Sequence, residues 1–100
     1  MTEMLKQNAK LLGVENVLTQ TMEECGELVQ ACNKLLRAGG HGKKPSCSYD
    51  EALDMLKKEL VDVNIMIDEL KYLLCLNSAE LHDIAVKSVK GTNDMIFGNK

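Results

Sequence analysis

The sequence predicts an all-α protein, a four-helix-core bundle, and three observations carry that expectation. Apolar residues recur at alternating steps of three and four over two long stretches, the period of a helix face. Those stretches are bounded by helix punctuation: Gly13 and Gly39-Gly40 as stops, Ser48 followed by Glu51 as a capping-box start. No segment alternates apolar and polar residues as a half-buried strand does. Helices joined by short loops pack antiparallel, which makes a bundle.

The first helix is expected over about residues 2–12, with Met4, Leu5, Leu11 and Leu12 turned inward and Gly13 as its stop. The second runs over about 15–38. Its apolar seam is Leu18, Thr21, Cys25, Leu28, Cys32 and Leu35. Gly26 stands inside it, where glycine is less favourable than alanine by about 1 kcal/mol. It is either tolerated local weakness or a point of close approach by a helix or ligand. The loop from Gly39 to Ser46 reads as a connector. It lacks the GxxxxGK[ST] pattern and a preceding strand, so it is no phosphate-binding P-loop, although Lys43 or Lys44 could reach a phosphate. The third helix is expected over about 48–75, with the seam Leu53, Leu56, Leu60, Val63, Ile67, Leu70 and Leu74. The fourth starts at Asn77, with Glu80 three residues on, and runs to about 94. The terminal Gly98-Asn99-Lys100 is expected to fray.

Beside each seam runs a second row, one residue earlier, and these rows carry the chemistry. In the second helix the row is Val17, Gln20, Glu24, Glu27, Ala31 and Lys34. In the third it is Ala52, Met55, Glu59, Asp62, Met66, Glu69 and Leu73. Residues three apart share a helix face, so Glu24 pairs with Glu27, and Glu59 with Asp62. If the two helices pack together, the four carboxylates can meet. Two unit charges about 4 Å apart repel by about 4 kcal/mol at an effective dielectric of 20. A cluster therefore needs protons, a basic residue or a divalent cation, and no basic residue lies between the members of either pair on its own face. An all-carboxylate site suits Mg²⁺, with Mn²⁺ as a substitute, better than zinc or copper. Solvated surface glutamates are the plainer reading of any single one; two matched pairs make it the weaker reading here.

The bulk numbers exclude several classes. One hundred residues, 1–100, make one domain. With no Trp and only Tyr49, Tyr72 and Phe97 as aromatics, the core is aliphatic. A net charge of −3 argues against nucleic acid as a partner. No apolar run is long enough to span a membrane, and the N-terminus does not read as a signal peptide, so a cytoplasmic location is the expectation. Cys25, Cys32, Cys47 and Cys75 show no CxxC spacing; reduced, mostly buried thiols fit that compartment. His41 and His82 do not make the Glu-x-x-His spacing of di-iron bundles and read as ordinary polar residues. Lys87 and Lys90 lie one turn apart in the fourth helix: a solvated face, or a contact to phosphates left uncovered by metal.

Taken together, Glu23-Glu24-x-x-Glu27 and Glu59-x-x-Asp62 resemble the EExxE…ExxD signature of the all-α nucleoside triphosphate pyrophosphohydrolases, most closely the MazG-like branch. The local text Glu23-Glu24-Cys25-Gly26-Glu27-Leu28 and Lys58-Glu59-Leu60-Val61-Asp62-Val63 is similar to that branch's motif blocks, and the resemblance covers about residues 18–90. It implies a Mg²⁺-dependent hydrolase that forms a homodimer or a dimer of dimers. It implies cleavage of the α–β phosphate bond of a (d)NTP to give (d)NMP and pyrophosphate. By motif position, Glu24, Glu27, Glu59 and Asp62 are metal ligands, and Glu23 is an outer ligand or the residue that orients and deprotonates water.

Two departures bear on that expectation. The 31 residues between Glu27 and Glu59 exceed the family's common spacing, and the glycine-rich loop absorbs the excess. The family's fourth helix often carries a Lys and then an Arg about two turns later; here Lys87 matches the first but Asp94 stands at the second, leaving Lys90 and Asn93 as substitutes. Base recognition falls to polar side chains, Gln20 first and Asn64 second, and to the dimer partner. Two alternatives stay open: a non-catalytic helical oligomerisation module, and the same fold acting on phosphoribosyl-ATP, dUTP or dCTP.

Overall fold

The structure, a computed structural model, describes residues 2–98. It is helical in four segments: α1 (Thr2–Leu12), α2 (Val14–Ala38), α3 (Tyr49–Leu73) and α4 (Ser78–Phe97). There is no strand among the described residues. The expected ends of α4 shift: the helix runs on to Phe97 and stops at Gly98, whose φ is 75°. The expected fraying of Asn99 and Lys100 lies outside the described residues.

Each boundary has a local cause. Gly13 separates α1 from α2 with φ 81° and ψ 163°, a region essentially confined to glycine. The chain turns there without losing hydrogen bonds, since the Gly13 N–H donates to the Ala9 carbonyl and the Val17 N–H to the Gly13 carbonyl. The capping box at α3 is complete. The Ser48 hydroxyl accepts from the Glu51 N–H, and the Glu51 carboxylate accepts from the Ser48 N–H. Those bonds, the backbone one first, hold the Glu51 carboxyl below its ordinary value. Asn77 caps α4 by accepting from the Glu80 N–H.

Packing departs from the expected closed bundle. α2 and α3 form the main antiparallel pair and α1 lies across both, while α4 packs against none of the other three among the described residues. The Cα radius of gyration is 17.2 Å, against about 13 Å for a compact chain of this length. The buried core is correspondingly thin: Ala9, Val17, Ala31, Ala52 and Glu69. Two lysines of α1, Lys6 and Lys10, lie over the Tyr72 ring of α3 at 5.5 and 6.0 Å from its centroid.

The most deeply buried row is not the leucine seam, much of which is half-buried beside it. Val17 and Ala31 of α2 and Ala52 and Glu69 of α3 are the buried residues of these helices, and all four belong to the carboxylate-bearing rows. Alanines at the contact let the backbones approach, and the helices meet along that line. The seams expected inside are turned partly to solvent. Leu18, Leu60, Ile67 and Leu74 are exposed, as are Met22, Val29 and Leu36 on the outer side of α2. Cys25 and Cys32, expected to be buried, are exposed with them, as is Cys75, while Cys47 is half-buried. In α1, Met4 and Leu11 also point outward rather than inward, and Ala9 is the buried residue. Nothing lies within 4 Å of a side chain built at Gly26, so no close approach within this chain explains that glycine.

Candidate functional site

Because the acidic rows form the α2–α3 contact line, their carboxylates converge. One oxygen from each of Glu24, Glu27 and Glu59 lies within 4.8 Å of the others. Glu24 and Glu59 are half-buried and each has a buried carboxylate oxygen, Oε2, without a hydrogen-bond partner. Burial pushes the Glu24 carboxyl up to about 7, helped by the adjoining Glu59 carboxylate and by the charges of Glu27 and Asp62. Three acidic oxygens that repel one another, two of the groups holding orphaned acceptors, form a hard-oxygen donor set that fits Mg²⁺ or Mn²⁺.

Asp62 stands apart from the three. Its Oδ2 accepts from Lys58 Nζ at 2.8 Å, one turn earlier on α3. The Asp62 carboxylate in turn holds the Lys58 ammonium above its ordinary value. No basic residue lies between the members of either pair, but Lys58, just before Glu59 and one turn before Asp62, reaches Asp62 from outside the pair.

Beside the cluster, a cavity of about 380 Å³ is lined by Glu27, Gln30, Ala31, Lys34, Met55, Lys58 and Glu59. It joins acidic metal-type donors to two ammonium groups, an arrangement suited to an anion with a bound cation. Lys34 and Lys58 were not singled out by the sequence reasoning. The signal was present, since Lys34 lies one turn beyond Ala31 on the acidic row and Lys58 four residues before Asp62.

The other expected site residues are scattered. Glu23 is exposed on α2, adjacent in sequence to Glu24 but outside the cluster. Gln20 lines a second cavity of about 330 Å³ with Asn8, Leu11, Leu12, Ile65, Met66 and Glu69. Asn64 is exposed. Lys87, Lys90 and Asn93 sit on α4, which does not approach α2 or α3, so one chain does not bring them to the carboxylates. Lys90 and Asn93 instead line an open groove with His82, Ala85, Val86 and Val89. No helix among the described residues is long and apolar enough to cross a membrane. No protein-family model, curated protein or solved structure matches this chain.

Proposed function

We propose that this chain is a metal-dependent nucleoside triphosphate pyrophosphohydrolase of the MazG-like all-α kind, cleaving the α–β bond of a (d)NTP to give (d)NMP and pyrophosphate. The observation that carries the reading is the convergence of Glu24, Glu27 and Glu59 within 4.8 Å beside a cavity that also holds Lys34 and Lys58. Glu24, Glu27 and Glu59 would hold Mg²⁺, with Asp62, now paired to Lys58, as the fourth carboxylate available to it. The ion supplies Lewis-acid polarisation of phosphate and water oxygens. Lys34 and Lys58 then neutralise phosphate oxygens at the cavity wall, which orients the triphosphate. Glu23 accepts the proton of the attacking water while the α–β anhydride bond breaks and pyrophosphate leaves.

The same reading includes a homodimer or larger assembly. The exposed leucine seams and the unpacked α4, with Ile84, Val89, Ile96 and Phe97 exposed, leave more apolar surface than an isolated chain of this size carries comfortably. In that assembly α4 of a second copy supplies Lys87, Lys90 and Asn93 to the phosphates. That surface also favours the second reading, a helical oligomerisation module without catalysis. Product analysis separates the two. With Mg²⁺ and a panel including dCTP, dUTP and phosphoribosyl-ATP, the proposal expects pyrophosphate and a monophosphate. Diphosphate with phosphate, or no turnover, would refute it.

A further inference from the structure

The second cavity lies where α1 closes over the start of α2 and the end of α3. Its wall includes Glu69, which is only 2% exposed and whose Oε2 has no hydrogen-bond partner. Buried carboxyl groups are normally paired, because desolvation without a partner is strongly unfavourable. Burial holds this carboxyl above its ordinary value, and no lysine or arginine lines the cavity. Gln20 and Asn8 add two amide side chains, while Leu12, Ile65 and Met66 supply flat apolar wall. At about 330 Å³ the space is near the lower end of small-molecule pockets, roughly 300–1,000 Å³.

Its position gives the ligand an orientation. Gln20 is one turn before Glu24, and Met66 one turn after Asp62, so this cavity and the lysine-bearing one flank the carboxylates along the α2–α3 groove. One end carries two ammonium groups, Lys34 and Lys58, beside the carboxylates of Glu27 and Glu59, and suits phosphates accompanied by a cation. The other is apolar, amide-bearing and acidic, and suits an uncharged ring with N–H donors.

Building on the pyrophosphohydrolase reading, we propose that the α1–α2–α3 cavity takes the nucleobase, and that Glu69 selects a base with an exocyclic amino group. Cytosine, adenine and guanine present an amino N–H to a carboxyl oxygen. Uracil and thymine present a carbonyl where cytosine has its amino group, so they offer Glu69 one N–H fewer and set a carbonyl oxygen beside its oxygens.

The test is calorimetric titration with non-hydrolysable α,β-imido analogues of dCTP, dATP, dGTP and dUTP in Mg²⁺. At least one amino-bearing analogue should bind roughly ten- to a hundredfold tighter than the uracil analogue. Glu69→Leu should bring that affinity down to the uracil level, and Gln20→Ala, which leaves the carboxyl in place, should weaken the same analogue should Glu69→Leu fail to fold. Equal binding of all four analogues, or an unchanged ranking in both variants, overturns the base pocket even if pyrophosphate is released from the natural triphosphates. Absence of pyrophosphate release from every triphosphate overturns the catalytic reading and this inference with it.

Discussion

α2 and α3 meet along a row of alanines and glutamates, whereas α4, almost as long, touches neither. The first pair has its most deeply buried residues on the acidic rows and its leucine seams partly turned to solvent. The lone helix has no buried residue among those described. The contrast shows how a short chain reconciles a site with a fold. The contact that would make the best core is given over to carboxylates, so much of the apolar surface stays exposed on the single chain. Such an arrangement is weak as a monomer, since four small or medium apolar residues are a thin core for a chain of 100 residues.

The sharpest way to break the comparison is to neutralise the inner row. Glu24→Gln and Glu59→Gln each remove a charge from the cluster. Losing an outer partner of a metal site typically lowers activity or affinity 10–100-fold. Losing a direct ligand should lower pyrophosphate release by at least about 100-fold. Metal-free melting temperature should stay level or rise, because repulsion is relieved. A variant that loses activity and also melts far lower would mean the carboxylates support the fold rather than the chemistry.

Next in size is the outer surface. Val89→Asp places a charge on the exposed apolar side of α4. Light scattering of the unaltered chain should give at least twice 11.1 kDa, and the variant should dissociate to a single chain. A monomer at micromolar concentration before substitution would remove the role assigned to α4.

The helices themselves were legible in the sequence, because caps are local. Ser48 with Glu51 and Asn77 with Glu80 act within one turn, and both caps form. Spacing paired Glu24 with Glu27 and Glu59 with Asp62, but the meeting of the pairs depended on how α2 and α3 pack, and only Glu24, Glu27 and Glu59 come within 4.8 Å. Which row faces inward was not legible. A period of three and four identifies residues that share a face, but not which neighbour covers it. The leucine seams and the alanine–glutamate rows have the same period, and only the α2–α3 packing distinguishes them. Glu69 was invisible as a special group for the same reason: α1, a distant part of the chain, lies across α2 and α3 and closes the cavity whose wall it forms.

A smaller effect tests the cluster by pH. Glu24 is held at about 7, above the ordinary 4.5, first by burial. The folded chain thus keeps a proton that the unfolded chain gives up. The associated stability is fully present below about pH 4.5 and is lost as pH rises through about 7. A divalent cation needs the deprotonated form, so it acts in the opposite sense. Binding only to the folded chain adds about 2.7 kcal/mol at a hundredfold excess over Kd. The rise in melting temperature on adding Mg²⁺ should therefore be larger at about pH 8 than at about pH 6. Melting curves at both values check this, and Glu24→Gln should flatten the difference. An equal or smaller shift at the higher pH would mean that Glu24 does not touch the ion.

The smallest effect concerns the joint that sends α4 away from the pair. α3 ends in a Schellman arrangement: the Leu76 N–H donates to the Lys71 carbonyl at 3.0 Å and the Cys75 N–H to the Tyr72 carbonyl at 3.3 Å. That geometry puts Cys75 at φ 51°, the left-handed region, where glycine is the usual residue. For a residue with a Cβ the conformation is unfavourable by roughly 1–2 kcal/mol. Cys75→Gly removes that strain but adds freedom to the unfolded chain, an opposing effect of roughly 0.5–1 kcal/mol. The net expectation is a rise in stability of between zero and about 1.5 kcal/mol, read by denaturant titration, with oligomeric state and activity unchanged. The exposed thiol makes no contact that the substitution would sacrifice if the joint is set by backbone alone. A fall of more than about 1 kcal/mol, or a change in assembly, would show that the Cys75 side chain itself helps hold α4 in place, and that the separation of α4 from the pair is built by more than its turn.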